Sequence, residues 1–126
     1  MEATVIVTFL ALAQYMFFGI QVGSMRGKHN IDAPSMSGHD EFDRMNRVHQ
    51  NTLEQLVVFI PALWMHAYYA NPLYGALIGL VFVAGRFIYR SEYLKNPASR
   101  GPGFAMSFIP SVVLLVWALV AAVLQL

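Results

Sequence analysis

The residues best suited to chemistry form a short polar stripe in an otherwise apolar part of the chain. Arg47, Asn51 and Glu54 are separated by four and three residues, so on a helix they lie within about 60° of one another. A guanidinium, a carboxamide and a carboxylate on one stripe could bind a ligand that carries both charges. A structural alternative is an Arg47–Glu54 ion pair that holds the helix to its neighbours.

A second polar stripe follows later in the chain. Arg86, Tyr89, Arg90 and Tyr93 occupy positions i, i+3, i+4 and i+7, which is one side of a helix. The pattern is also typical of a membrane interface, where aromatic rings lie at headgroup level and arginines snorkel. Because both stripes are expected at the same depth, we interpret them as one pocket. Its arginines would bind carboxylates bidentately, which favours a small zwitterionic ligand with excess negative charge.

The elements that position these stripes are predicted to be membrane-spanning helices. Hydrophobic residues make up 57 % of the chain and charged residues 12 %, against about 25 % charged residues in soluble domains. Residues 3–25, 55–85 and 101–126 contain no Asp, Glu, Lys or Arg. The middle stretch is too long for one crossing, and Asn71-Pro72 interrupts it with a turn signal. We therefore predict an all-α, integral membrane four-helix bundle in a single domain, 1–126, with helices at about 3–26, 42–69, 72–95 and 103–125.

The basic residues predict the orientation of this bundle. All eight Lys and Arg residues flank the loop 26–47 or the loop 86–100. The positive-inside rule therefore places both loops in the cytoplasm and both termini on the opposite side. A net charge of +1 does not indicate nucleic-acid binding. The chain has no cysteine and its histidines lack the spacing of metal ligands, so no metal is expected.

Together these features resemble the MAPEG family, the membrane-associated proteins of eicosanoid and glutathione metabolism. The resemblance covers nearly the whole chain, and the segment 47–54 is especially similar to microsomal glutathione transferases. The residues that carry it are Arg47, Asn51, Glu54, Arg86, Tyr89, Tyr93 and Arg100.

The resemblance implies a homotrimer with three glutathione sites between adjacent subunits, near the cytoplasmic face of the membrane. Arg26 and His49 would reach in from the neighbouring subunit. The residues implied to hold the peptide from within one subunit are Arg47, Asn51, Glu54, Gln55, Tyr89 and Tyr93. Gln55 stands where relatives often have an aromatic residue, so it could hydrogen-bond but not stack.

Arg100 is implied to lie closest to the thiol of glutathione, and the chemistry of that position is clear. A free cysteine thiol has a pKa of about 8.5, so only a few per cent is thiolate at neutral pH. A fixed guanidinium could stabilise the thiolate by about 2–4 kcal/mol and lower that pKa. The thiolate would then attack a lipophilic electrophile from the membrane lipid, or reduce a lipid hydroperoxide. Gly27 stands where the cysteinyl-leukotriene synthase branch has a second arginine, which argues against a dedicated leukotriene synthase and favours a general transferase or peroxidase.

Two other functions are compatible with a small four-helix membrane protein. One is a non-catalytic, lipid-presenting member of the family, similar to the lipoxygenase-activating protein. The other is a small multidrug transporter, which would need an essential carboxylate in the first helix. That helix has no carboxylate after Glu2.

Overall fold

The four predicted helices are present. A computed structural model describes all residues from Met1 to Leu126 and contains no β-strand. Its helices are α1 (Glu2–His29), α2 (Asp40–Tyr69), α3 (Pro72–Lys95) and α4 (Gly101–Val123), with one 3₁₀ turn at Pro97–Ser99. The all-α fold class is confirmed.

The hairpin between α2 and α3 forms where the sequence predicts it. The Asn71 side chain accepts a hydrogen bond from the backbone N–H of Tyr74 at 3.0 Å, and Pro72 occupies the first helical position. An Asx N-cap followed by proline satisfies one unpaired donor and removes another. The two helices therefore reverse direction within two residues.

The first loop begins slightly later than predicted, because α1 continues to His29 instead of ending near residue 26. Asn30 ends the helix in the left-handed conformation with φ of 55°. The N–H of Ile31 then donates to the carbonyl of Arg26 at 2.9 Å, which satisfies a terminal carbonyl of the helix.

Charged side chains join the end of α1 to the start of α2 across the first loop. Glu41 accepts from Lys28 Nζ at 3.0 Å and lies 2.9 Å from His29 Nε2. The hydrogen bond with His29, followed by the one from Lys28, lowers the pKa of the Glu41 carboxyl. The carboxylate therefore stays ionised where it joins the end of α1 to the start of α2.

Three of the helical segments are long and apolar enough to cross a membrane: Glu2–His29, Pro72–Lys95 and Pro97–Val123. Helix α2 is more polar, because its first half carries the charged and amide side chains of the first stripe. That α2 also spans the membrane stays a prediction.

The interior consists of two apolar clusters at different depths. The cluster in the middle of the bundle includes Phe59 and Phe82, whose rings stack with centroids 3.9 Å apart. The cluster near the loops includes Phe18, Phe42 and Tyr89. Only 32 of 126 residues are buried, so most of the apolar surface of this thin bundle faces outward.

Helices α3 and α4 approach each other closely where glycines face a neighbouring backbone. A Cβ added at Gly103 would lie 2.5 Å from Tyr89 Cα, and one added at Gly85 would lie 2.6 Å from Met106 Cβ. Small residues allow this approach between membrane helices. The crossing brings the start of α4, which carries Arg100, against the end of α3.

Candidate active site

A polar cleft opens at the end of the bundle that carries the two long loops. Its volume is about 490 Å³, within the range of small-molecule sites. The residues that line it are Arg47, Asn51, Tyr89, Tyr93, Arg100 and Phe104. Five of these six are residues that the sequence predicts to bind glutathione or its thiol.

Three helices supply the lining. Helix α2 contributes Arg47 and Asn51, one turn apart. Helix α3 contributes Tyr89 and Tyr93, whose rings stack with centroids 5.5 Å apart and an interplanar angle of 15°. Arg100 is the N-cap residue of α4, and its Nη1 donates to the Pro97 carbonyl at 3.0 Å. The 3₁₀ turn thus helps to orient the guanidinium.

Arg47 and Glu54 are in contact, yet they do not form a strong structural pair. Arg47 Nη1 lies 3.4 Å from Glu54 Oε1, and the two side chains are 45 % and 57 % exposed. Exposed ion pairs contribute about 0–1 kcal/mol, so this pair alone does not hold the bundle together. Asn51 Nδ2 donates to the same carboxylate oxygen at 3.4 Å. Both charges remain open to a ligand.

Arg86 lies beneath the cleft, and the interpretation that it lines a shared pocket is wrong. Its side chain is fully buried and donates to Asn51 Oδ1 at 2.8 Å. It also donates to Thr52 Oγ1 at 3.1 Å and to Ser107 Oγ at 3.1 Å. Its guanidinium carbon is 4.3 Å from the centroid of the Tyr89 ring, a cation–π distance. Hydroxyl and amide partners on α2 and α4 hold Arg86 away from any ligand.

Arg90 also departs from the predicted pocket. Its Nε donates to Gln21 Oε1 on α1 at 2.8 Å, so its guanidinium faces away from the cleft. The helical stripe is wide enough that Tyr89 and Tyr93 line the cleft between α2 and α4 while Arg90 reaches α1.

Arg26, His49 and Gln55 do not line the cleft of their own chain. Arg26 donates to the Ser35 carbonyl at 2.7 Å. The imidazole of His49 stacks on the Tyr15 ring at 4.4 Å, on the face of α2 opposite Arg47. The predicted roles of Arg26 and His49 belong to a neighbouring subunit and stay predictions, as does that of Gln55.

Phe104 is the lining residue that the sequence reasoning missed. The available signal was its spacing, because Phe104 follows Arg100 by one helical turn and therefore lies on the same face of α4. The described residues contain no group of three or more His, Cys, Asp or Glu side chains placed to hold a metal ion.

Comparison with known proteins matches the chain to one family and to several of its members. The sequence model of the MAPEG family matches residues 4–120. An uncharacterized protein of Synechocystis sp. is 38 % identical over 121 residues, which is 96 % of this chain and 88 % of that protein. Human microsomal glutathione S-transferase 2 is 36 % identical over 101 residues, which is 80 % of this chain and 69 % of the relative.

A more distant relative is the leukotriene C4 synthase of Cavia porcellus. It is 31 % identical over 94 residues, which is 75 % of this chain and 63 % of the relative. The match of the family model to almost the entire chain is decisive for classification. The chain belongs to the MAPEG family.

Proposed function

We propose that the chain is a membrane-bound glutathione transferase that conjugates glutathione to lipophilic electrophiles. The observation that carries this proposal is the convergence of Arg47, Tyr89, Tyr93 and Arg100 on one cleft. The similarity to microsomal glutathione S-transferase 2 supports the same chemistry.

The charges of the cleft match those of glutathione. The tripeptide carries two carboxylates and one ammonium group, and its thiol becomes a third anionic group on ionisation. Arg47 and Arg100 supply two guanidinium groups, while Glu54, which contacts Arg47 without lining the cleft, would supply a carboxylate for the ammonium. Asn51 and the two tyrosines add neutral hydrogen-bonding groups. An anionic zwitterion is therefore the ligand that this cleft fits best.

Arg100 would act on the thiol. Its positive charge favours the thiolate over the thiol, and each 1.36 kcal/mol of that preference lowers the thiol pKa by one. The proton of the thiol passes to solvent. The sulfur then bonds to the electrophilic carbon, and the leaving group departs with the electron pair of the bond that breaks.

We further propose that the functional unit is a homotrimer with the cleft at each subunit boundary. His49 faces away from Arg47 on the same helix, so a single chain cannot bring the two to one ligand. Many large apolar side chains are strongly exposed, including Phe9, Ile20 and Leu119 at 67 %, 69 % and 63 %. Part of this surface would be covered by neighbouring subunits and the rest by membrane lipid.

The cleft would face the cytoplasm, because every Lys and Arg residue lies at its end of the bundle. The chain contains no cysteine, so Ser37→Cys would introduce a single thiol in the first loop. A membrane-impermeant maleimide should label it only from the cytoplasmic side. Labelling from the opposite side of intact cells would contradict this orientation.

Ultraviolet absorbance of the glutathione thiolate tests the enzymatic proposal. Adding glutathione to the wild-type protein should produce the thiolate signal, and Arg100→Ala should abolish it while leaving binding of the peptide largely intact. Lys95→Ala, which removes another exposed cation near the same end, is the matched control and should not change the signal. A wild type that does not bind glutathione overturns the proposal. Assay of the same preparation with a lipid hydroperoxide decides whether it also acts as a peroxidase.

Two observations weigh against the alternative functions. A lipid-presenting protein without catalysis has no need of the guanidinium groups of Arg47 and Arg100 in a polar cleft. A proton-coupled transporter needs an ionisable group within the first helix. The one carboxylate of α1, Glu2, is exposed and paired with the terminal ammonium at 3.0 Å.

A further inference from the structure

Two aromatic side chains follow Arg100 on one ridge of helix α4, which begins at the cleft. Arg100, Phe104 and Phe108 are spaced four residues apart and so form one ridge of the helix. The rings of Phe104 and Phe108 stack with centroids 5.7 Å apart and an interplanar angle of 12°. Phe104 is 36 % exposed and Phe108 is 50 % exposed, so both rings can be reached from outside the chain.

Phe104 links the polar cleft to the membrane-facing surface. It lines the cleft together with Arg100, and side chains on a helix lean toward its N-terminus, which directs the Phe104 ring toward that guanidinium. In the other direction the ridge continues through Phe108 to Val112, which is also exposed. A lipophilic molecule could follow this ridge from the bilayer to the position of the thiolate.

We propose that Phe104 and Phe108 form the acceptor subsite and that it selects planar aromatic electrophiles over aliphatic ones. This inference rests on the proposed transferase function and adds the class of its second substrate. Two nearly parallel rings offer flat faces on which a third ring stacks in an offset arrangement, an interaction that an aliphatic chain does not make. A ring stacked on Phe104 would hold its reactive carbon near the sulfur that Arg100 stabilises.

The reaction with an activated haloarene illustrates the step. The thiolate sulfur bonds to the ring carbon that carries chlorine, and negative charge spreads into the electron-poor ring. Chloride then leaves with the electron pair of the carbon–chlorine bond. With an aliphatic enal the sulfur bonds to the β-carbon instead, and the α-carbon takes a proton from solvent. The substrate of the first reaction is a planar, electron-poor ring that can stack on Phe104 before attack, whereas the enal has no ring.

The test compares kcat/KM for two electrophiles, chlorodinitrobenzene and nonenal. Phe104→Leu keeps an apolar side chain of similar size but removes the ring. It should lower kcat/KM for chlorodinitrobenzene by about three- to tenfold, while kcat/KM for nonenal should change less than about twofold. Phe104→Tyr retains the ring and should restore the preference. Phe9→Leu, at an exposed ring on α1, is the control and should change neither value.

The glutathione thiolate signal separates failure of this inference from failure of the proposed function. The signal of Phe104→Leu is measured beside its two kcat/KM values, because a loss of thiolate would lower both values equally, whereas loss of the aromatic subsite changes their ratio. Equal losses with both electrophiles, or no loss with either, overturn the aromatic subsite alone. A wild type without a thiolate signal overturns the transferase function and the subsite together.

Discussion

At the residue scale, burial separates two kinds of arginine around the cleft. Arg47 and Arg100 line it and are exposed, whereas Arg86 is fully buried beneath it. No carboxylate bonds to Arg86; its partners are two hydroxyls, one carboxamide and an aromatic face. Burying a charge without a counter-ion costs free energy. The hydrogen bonds and the aromatic contact of Arg86 must therefore offset the desolvation cost of its buried charge.

The geometry of these hydrogen bonds predicts that Arg86→Lys, although chemically similar, destabilises the fold more than Arg86→Met does. Arg86→Lys keeps the buried charge but cannot reach α2 and α4 at once, since an ammonium lacks the planar fork of a guanidinium. Loss of these charge-assisted bonds should cost about 1.5–3 kcal/mol of folding stability. Arg86→Met removes the charge together with its desolvation cost and should be less destabilising. Thermal unfolding in detergent measures both.

The order of the two unfolding midpoints is the informative result. A midpoint for Arg86→Met below that for Arg86→Lys would show that the buried charge itself, and not its fork geometry, stabilises the helices. Glutathione binding should weaken in both variants, because Asn51 loses the donor that fixes its carboxamide.

The contrast between Arg86 and Arg90 shows what helical spacing can and cannot predict. The stripe of Arg47, Asn51 and Glu54 follows from spacing alone, and the structure brings their side chains into contact. Arg86 and Arg90 differ by only about 40° on their helix, yet one lies under the cleft and the other bonds to Gln21 on α1. Their partners lie far away in sequence, so only the packing of the helices decides between them.

At the element scale, the site depends on how closely α4 approaches α3. The turn from Asn71 to Pro72 was predictable, because its signals are local. The α3–α4 crossing was not predictable from the sequence, because it depends on the close contact between Gly103 and the backbone of Tyr89. A single glycine near the start of a helix is also typical of simple flexibility. Only the packed structure identifies it as a contact point.

We expect Gly103→Ala to separate the two helices near the cleft. The added methyl group would lie 2.5 Å from Tyr89 Cα and 2.9 Å from Tyr89 Cβ, and a backbone cannot yield as a flexible side chain does. Overpacking of this kind costs about 1–3 kcal/mol. Arg100 and Phe104 would move with α4, so glutathione binding should fall along with the unfolding midpoint.

Gly101 provides the matched control for that experiment. It lies two residues earlier on the same helix, and a Cβ added there would meet nothing within 4 Å. Gly101→Ala should therefore leave both binding and the unfolding midpoint nearly unchanged. Equal effects of the two substitutions on binding and on the unfolding midpoint would show that the α3–α4 contact at Gly103 is not the cause.

At the scale of the whole molecule, many large apolar side chains of one chain are exposed, and the proposed trimer would cover part of that surface. The four-helix membrane fold was predictable because the positions of charged residues delimit the helices. The assembly was not derivable from composition, since lipid and a neighbouring subunit both cover apolar surface. The proposed contributions of Arg26 and His49 to a neighbouring cleft therefore have to be tested by experiment.

Subunit complementation tests whether each site is shared between two chains. Arg100→Ala damages the cleft of its own chain, and Arg26→Ala would damage the contribution to the neighbouring cleft. Each variant alone should be inactive or weakly active. In a trimer assembled from both variants, some boundaries would combine an intact Arg100 from one chain with an intact Arg26 from its neighbour. Random mixing should restore about a quarter of the sites. Co-expressed Arg100→Ala and Arg47→Ala chains should restore none, because both changes damage the same half. Two affinity tags verify that mixed trimers have formed. If the mixture of Arg100→Ala and Arg26→Ala chains then recovers no activity, the site does not lie between subunits.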